Sequence, residues 1–180
     1  VCPVVEAERP LSARERLTLG LIALWLAFQI LFPLRHLLYP GSPSWTEQGH
    51  RFAWQMKLRD KAAMSTFFVR DPASGREWVV FPEDYLQPHQ AEAMEGRPDM
   101  ILQFAHHLGR LWERQAGMPG VEVRAHVCVS LNGRRPALLI DPARDLAKVE
   151  RSLQHADWIV PLAQPFERPQ PRSGPDVIRC

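Results

Sequence analysis

The segment 45–59 holds the side chains of this sequence that are best suited to chemistry. It places two indoles beside an imidazole, an amide and two guanidinium groups, on Trp45, His50, Arg51, Trp54, Gln55 and Arg59. A guanidinium group can bind both oxygens of a carboxylate, so the two arginines are candidate substrate-binding residues. Indoles beside cations also suit a quinone ring or a lipid headgroup. In the alternative interpretation, the indoles anchor the chain at a membrane interface or fill a core, and the cations meet lipid phosphates.

A long apolar run precedes this segment and must position it. Residues 17–34 carry no charge, and at ~1.5 Å per residue they extend ~27 Å, which is just enough to cross a bilayer. We therefore predict a transmembrane helix over residues 17–38, capped by Ser12 with Glu15 and kinked or ended by Pro33. The alternative is a buried helix of a soluble domain.

Basic residues indicate the orientation of this helix. Arg9, Arg14 and Arg16 lie just before the run, whereas only Arg35 follows closely, so residues 1–16 are predicted on the cytoplasmic side. The region 39–162 is then expected on the non-cytoplasmic side, periplasmic or lumenal.

Periodicity in this second region predicts an α+β domain with β-hairpins and one or two helices. The alternation over residues 51–59 favours a half-buried strand, with a short helix left open. Asp71 to Gly75 and Asn132-Gly133 have the composition of hairpin turns. The predicted elements are strands at 66–70, 77–81, 121–131 and 136–140, helices at 88–95, 98–116 and 145–153, and an extended piece at 158–161. The proline-rich residues 163–180 are expected to be a disordered tail or linker.

Composition and motifs argue against several other functions. A net charge of +2 with interspersed signs leaves no nucleic-acid footprint. Cys2, Cys128 and Cys180 are odd in number, so we predict neither a disulfide framework nor a metal site. Adjacent His106 and His107 diverge by ~100° on a helix and are interpreted as a solvated polar face. The chain also shows no phosphate-binding loop, nucleophile elbow or paired-histidine zinc motif.

Five blocks in a fixed order resemble the vitamin K-dependent γ-glutamyl carboxylases and their bacterial relatives. They are residues 34–56 (LRHLLYPG followed by WTEQGHRFAWQM), 97–108 (RPDMILQFAHHL), 129–133 (VSLNG), 140–146 (IDPARDL) and 157–162 (DWIVPL). Within the first block, His36 matches a histidine of the family and Trp54 a tryptophan. His50 stands where the animal enzymes have an aromatic residue, and Gln55 where they have an acidic one.

The resemblance implies the C-terminal part of a membrane enzyme of the carbon–carbon lyase class. Removal of the γ-proton of glutamate needs a base stronger than any side chain supplies at neutral pH. In the family, a lysine deprotonates vitamin K hydroquinone, and O2 converts the quinol to a strong base. The carbanion that this base forms then attacks CO2. That lysine belongs to the upstream membrane part, and Lys57, Lys61 and Lys148 do not match it.

By this resemblance, the chain contributes substrate docking and membrane scaffold, with no catalytic residue and no metal of its own. The implied partners are lipid, upstream transmembrane helices of the same protein and a glutamate-containing peptide or protein, without nucleic acid. Because the chain starts at Val1, we expect it to be cut from a longer protein. Two alternatives remain: a relative without carboxylation that acts as a quinol-dependent oxidoreductase, and a non-catalytic membrane-anchored binding module.

Overall fold

The N-terminal apolar helix stands apart from the rest of the fold. The structure, a computed structural model, describes residues 10–53, 59–162 and 180. Helix α1 spans Ala13–Leu31 and begins with the predicted capping box, in which Ser12 Oγ accepts from the Glu15 amide and Glu15 Oε2 accepts from the Ser12 amide. At Pro33, which has no amide hydrogen to donate, the helix has tightened into the 3₁₀ segment Phe32–Leu38.

Together these two elements form one apolar span, Ala13–Leu38, of 26 residues and mean hydropathy 2.1. Its length and composition are enough to cross a bilayer, and α1 contains no buried residue. The span includes the predicted range 17–38 and begins four residues earlier.

A four-stranded antiparallel sheet forms the centre of the second region, in the order β2-β1-β3-β4. The strands are β1 Lys61–Arg70, β2 Glu77–Val80, β3 Glu122–Leu131 and β4 Ala137–Leu138. The predicted hairpin is confirmed, since Arg70 pairs with Glu77 across the turn. The long pairing of β1 with β3 joins distant parts of the chain, from Lys61↔Leu131 to Arg70↔Glu122.

Helices cover one face of this sheet and close the core. They are α2 Pro43–Thr46, α3 Pro88–Glu95 and α4 Pro98–Gln115, and the two longer ones confirm the predicted helices. Phe67 of β1 and Phe104 of α4 meet edge to face at 4.9 Å between ring centroids. Ile101 and Leu108 of α4 are fully buried in the same cluster. The α+β prediction is therefore confirmed.

Two predicted elements differ in the structure. Residues 51–53 form a turn and a bend, so the predicted strand is wrong at its start, and residues 54–58 lie outside the described residues. The predicted helix at 145–153 shrinks to one 3₁₀ turn, Leu146–Lys148. Asp145 explains this difference because its Oδ1 accepts from the amides of both Val123 and Ala147, which ties the loop to β3.

Two side-chain predictions are also corrected. Cys128 and Cys180 form a disulfide at a sequence separation of 52, although the cysteine count had argued against pairing. His106 is not a solvated residue: its Nε2 lies 2.8 Å from the carbonyl oxygen of Val149, which it contacts as a half-buried side chain. The tail predicted for residues 163–180 lies outside the described residues except for Cys180.

Candidate functional site

A cavity of about 840 Å³ lies where the segment after the apolar span meets the start of α4 and the loop 144–159. Among the described residues, cationic side chains outnumber carboxylates in its lining. Its arginines are Arg35, Arg51, Arg59, Arg97, Arg144 and Arg151. Its carboxylates are Glu47, Asp99, Glu150 and Asp157. A concave surface with this excess of guanidinium groups favours anionic ligands.

Glu47 fixes one wall of the cavity. It follows α2 in the left-handed conformation, with φ of 59°, which ends the helix and turns the side chain back towards Arg59. Glu47 Oε1 lies 2.6 Å from Arg59 Nη1 and 3.1 Å from Lys61 Nζ, and the Glu47 side chain is 13% exposed. The Arg59 guanidinium is therefore held in place before any ligand arrives.

Lys61 supports this wall from behind. Its side chain is 6% exposed, and Nζ donates to the carbonyls of Trp45 and Gly96, both at 2.8 Å, and to Glu47. Burial lowers the pKa of Lys61 from 10.5 to about 8, although the Glu47 carboxylate opposes that change. Lys61 thus joins α2 to the turn between α3 and α4, and it is not among the residues that line the cavity.

His50 lines the cavity and also holds one buried imidazole nitrogen. Its Nδ1 is buried and has no hydrogen-bond partner. Burial and then the Arg59 charge lower the pKa of His50, while Glu47 raises it. The lowered pKa favours the neutral imidazole, and a neutral ring carries one donor and one acceptor nitrogen.

Arg51 is already paired with a carboxylate of the chain. Its Nη2 lies 2.5 Å from Oδ2 of Asp99 in the first turn of α4, and the two side chains are 77% and 53% exposed. The Arg51 carbonyl accepts a hydrogen bond from Arg35 Nη2. The structure thus shows that this arginine can bind a carboxylate at the cavity edge.

The other predicted site residues lie elsewhere. Trp45 is 1% exposed in the core, where its indole N–H donates to Val160 O at 2.7 Å. His36 Nδ1 lies 2.8 Å from Pro33 O, and a Cβ at Gly49 would approach the His36 Cα to 2.7 Å. Neither Trp45 nor His36 lines the cavity, and Trp54 and Gln55 lie outside the described residues. Their roles in substrate binding stay predictions.

Sequence reasoning missed the loop that forms the opposite wall. Tyr39 Oη donates to Leu153 O at 2.6 Å. Gln48 binds both Gln154 O, through Nε2 at 3.3 Å, and His155 Nδ1, through Oε1 at 3.0 Å. These contacts join residues more than 100 positions apart, and no local pattern signals them. Glu47 lay inside the tryptophan-rich motif and was detectable there as the carboxylate among its cations.

Metal-ligating atoms converge at a different place. Within the described ranges, His126, Cys128 and Cys180 have ligand atoms within 4.8 Å of one another. Both sulfurs form the disulfide, and a metal needs thiolates. This cluster therefore offers an ion only the imidazole of His126 while the disulfide is intact.

Comparison with known proteins agrees with the sequence motifs. The model of one family, described as the vitamin K-dependent gamma-carboxylase lumenal domain, matches residues 14–165. Neither a curated protein nor a solved structure matches the chain. The matched range contains the apolar span from its second residue, the whole sheet and every residue that lines the cavity.

Proposed function

The chain belongs to the vitamin K-dependent gamma-carboxylase lumenal-domain family, and from that premise we propose that its basic cavity binds acidic side chains of a client polypeptide. The observation that carries this proposal is the convergence of Arg51, Arg59 and His50 on one cavity. Glutamate side chains presented there are held for carboxylation by a quinol-dependent centre that other membrane segments of the protein build.

The energetics of the cavity suit a carboxylate. Removing a carboxylate from water is costly unless it is paired and hydrogen-bonded, and a preset guanidinium supplies both interactions. Arg59 is preset by Glu47, so little side-chain entropy is lost when it binds a second anion. The exposed Arg51–Asp99 pair stabilises the protein by only ~0–1 kcal/mol, so a client carboxylate can replace Asp99 at Arg51.

The same proposal places the domain on a membrane. The apolar span Ala13–Leu38 anchors it, and the basic residues before the span place the domain on the non-cytoplasmic side. The cofactor is vitamin K hydroquinone or a related quinol, with O2 and CO2 as co-substrates. Charged and amide side chains make up about half of the described cavity lining, and burying them against an apolar quinone ring would be costly because they would lose their contacts with water. We therefore assign the quinol to the other membrane segments.

Binding of a fluorescent glutamate-containing peptide tests the proposal. The protein is reconstituted in nanodiscs and titrated by fluorescence anisotropy. Arg59→Ala removes a charge-assisted interaction of ~1.5–3 kcal/mol, so we expect the Kd to rise roughly 10- to 100-fold. Arg51→Ala has a smaller effect because Arg51 is more exposed. The matched control is Arg76→Ala, an exposed arginine after the β1–β2 turn, which leaves the Kd unchanged.

An unchanged Kd in both Arg59→Ala and Arg51→Ala would refute the proposed role of this cavity. The full-length protein with vitamin K hydroquinone, the peptide and labelled bicarbonate then separates the functions. Label in the peptide supports carboxylation, whereas quinone epoxide without label supports a quinol-dependent oxidoreductase. Peptide binding with neither product supports a membrane-anchored binding module.

A further inference from the structure

Two apolar side chains of the sheet-containing region are unusually exposed. Within the described part of residues 39–162, Leu153 is 90% and Phe52 75% exposed, and the next large apolar side chain, Val79, is 54% exposed. Both lie on loops and contribute little to the hydrophobic core. Exposed apolar side chains that cluster mark contact with a partner or a membrane.

Both residues are held beside the end of the apolar span. The hydroxyl of Tyr39, the residue that follows the span, donates to the Leu153 carbonyl at 2.6 Å. The ring of Phe52 lies 5.8 Å from the ring of Phe32, between centroids, within the span. Leu37 and Leu38 at the end of the span are 70% and 83% exposed. We call Leu37, Leu38, Phe52 and Leu153 the junction patch.

Phe52 also continues a row of aromatic rings along the span. Successive centroids of Trp25, Phe28, Phe32 and Phe52 lie 5.9, 5.0 and 5.8 Å apart. Phe52 has a φ of 62°, a conformation that is strained for a residue with a Cβ. The domain does not offset this strain by burying the ring, so the conformation instead presents the ring outwards beside the span.

One arginine lies beside the aromatic ring of the junction patch, and two others are close to the patch in sequence. The Arg35 guanidinium lies 4.3 Å from the Phe32 centroid and 5.8 Å from the Phe52 centroid. Arg51 neighbours Phe52, and Arg151 lies two residues before Leu153. Aromatic rings beside arginines at the end of an apolar helix are typical of a membrane–water interface, where the guanidinium groups meet lipid phosphates.

From these observations we infer that the junction patch is a second membrane contact, in which the Leu153 and Phe52 loops enter the headgroup region of a phospholipid bilayer. This inference rests on the membrane anchoring proposed above. One helix alone leaves a domain free to swivel, whereas two further loops in the same interface fix its orientation. Because Arg51 and Leu153 line the cavity, the cavity then opens at the bilayer surface, where reactants dissolved in lipid can meet a client from water.

Depth-dependent quenching tests this contact. A Cys2→Ser background leaves only the disulfide-bonded Cys128 and Cys180, so a new cysteine can be labelled with the environment-sensitive fluorophore NBD. The positions are Leu153→Cys, Leu24→Cys within the span and Ala73→Cys in the β1–β2 turn. The last position lies beyond the far end of β1, whose ten residues extend ~34 Å. The protein is reconstituted in phosphatidylcholine–phosphatidylserine vesicles with doxyl-labelled phosphatidylcholine.

We expect the label at position 153 to show blue-shifted emission. The extent of its quenching should be closer to the extent measured at position 24 than to the extent measured at position 73. Emission and quenching like those at position 73 would overturn the inference. A blue shift without quenching would also overturn it, because the patch would then contact protein. If position 24 itself is not quenched, the membrane anchoring fails and the inference with it. Peptide binding by the Arg59 variant is a separate measurement, so failure of the cavity role is distinguished from failure of the membrane contact.

Discussion

The buried amine of Lys61 should make the stability of this domain rise with pH in the alkaline range. In the folded chain its Nζ is surrounded by the carbonyls of Trp45 and Gly96 and by Glu47. Burial lowers its pKa to about 8, whereas the ordinary value is 10.5. The unfolded chain therefore binds more protons than the folded chain between about pH 8 and 10.5, and the free energy of unfolding rises with pH across that window.

The expected size follows from the same two values. The difference between 10.5 and about 8, at ~1.36 kcal/mol per pKa unit, amounts to ~3 kcal/mol. In Lys61→Met, hydrogen bonds to the Trp45 and Gly96 carbonyls are lost at every pH, so the variant serves as a pH-independent baseline. The stability of the wild type relative to this variant should thus rise by ~3 kcal/mol between pH 7.5 and 10.5. This corresponds to roughly 6–12 °C in Tm for a domain of this size.

Thermal unfolding of both proteins in detergent, followed by tryptophan fluorescence from pH 7.5 to 10.5, measures this difference. Lys148→Met is the matched control, because the Lys148 side chain is 68% exposed. Its hydrogen bond to Asp145 raises the pKa of Lys148, so its contribution is lost only above the ordinary value, and no rise is expected across the same window. Parallel Tm curves for wild type and Lys61→Met would show that Lys61 is solvated, and would refute the reasoning.

Two further substitutions test neighbouring contacts. Asp99→Asn frees Arg51 from its internal carboxylate. The affinity for the glutamate peptide, measured by anisotropy, should therefore rise by the ~0–1 kcal/mol of an exposed ion pair, which is at most about fivefold in Kd. Weaker binding would show that Asp99 helps to hold the peptide. The Glu95 carboxylate accepts from the amide and the hydroxyl of Ser65, both at 2.9 Å, at a position of β1 that does not pair with β2. Glu95→Ala removes this acceptor and should lower the free energy of unfolding in urea by ~1–3 kcal/mol. Glu95→Gln keeps an acceptor and should cost less, and equal losses in the two variants would contradict this role.

The local pattern of residues was enough to predict most helices and strands. The spacing of Ile101, Phe104 and Leu108 along one face predicted α4 because a helix buries every third or fourth residue. The alternation from Val121 to Leu131 predicted β3 for the corresponding reason. Asn132 and Gly133 both adopt the positive φ, 52° and 73°, that a two-residue hairpin turn requires. However, Arg134 to Pro136 delay the return strand, and β4 contains only Ala137 and Leu138.

The candidate site was less predictable. Arg51 and Arg59 were identified from residue type, and both reach the cavity. Trp45 was identified on the same grounds but is a core residue: its indole is 1% exposed and donates to the backbone carbonyl of Val160. The residue type indicates what a side chain can bind, whereas the burial of that side chain in the structure decides whether a ligand can reach it.

The sequence by itself determined the apolar span, the capping box at Ser12, the helices, the hairpins and the cationic motif, because each depends on neighbours within a few positions along the chain. The tertiary structure decided the rest. It brought the loop around Leu153 to Tyr39, joined Cys128 to Cys180 in a disulfide, and placed the Lys61 amine next to the Glu47 carboxylate. No local pattern encodes these contacts, and the contact of Tyr39 with Leu153 joins two of the residues that line the cavity.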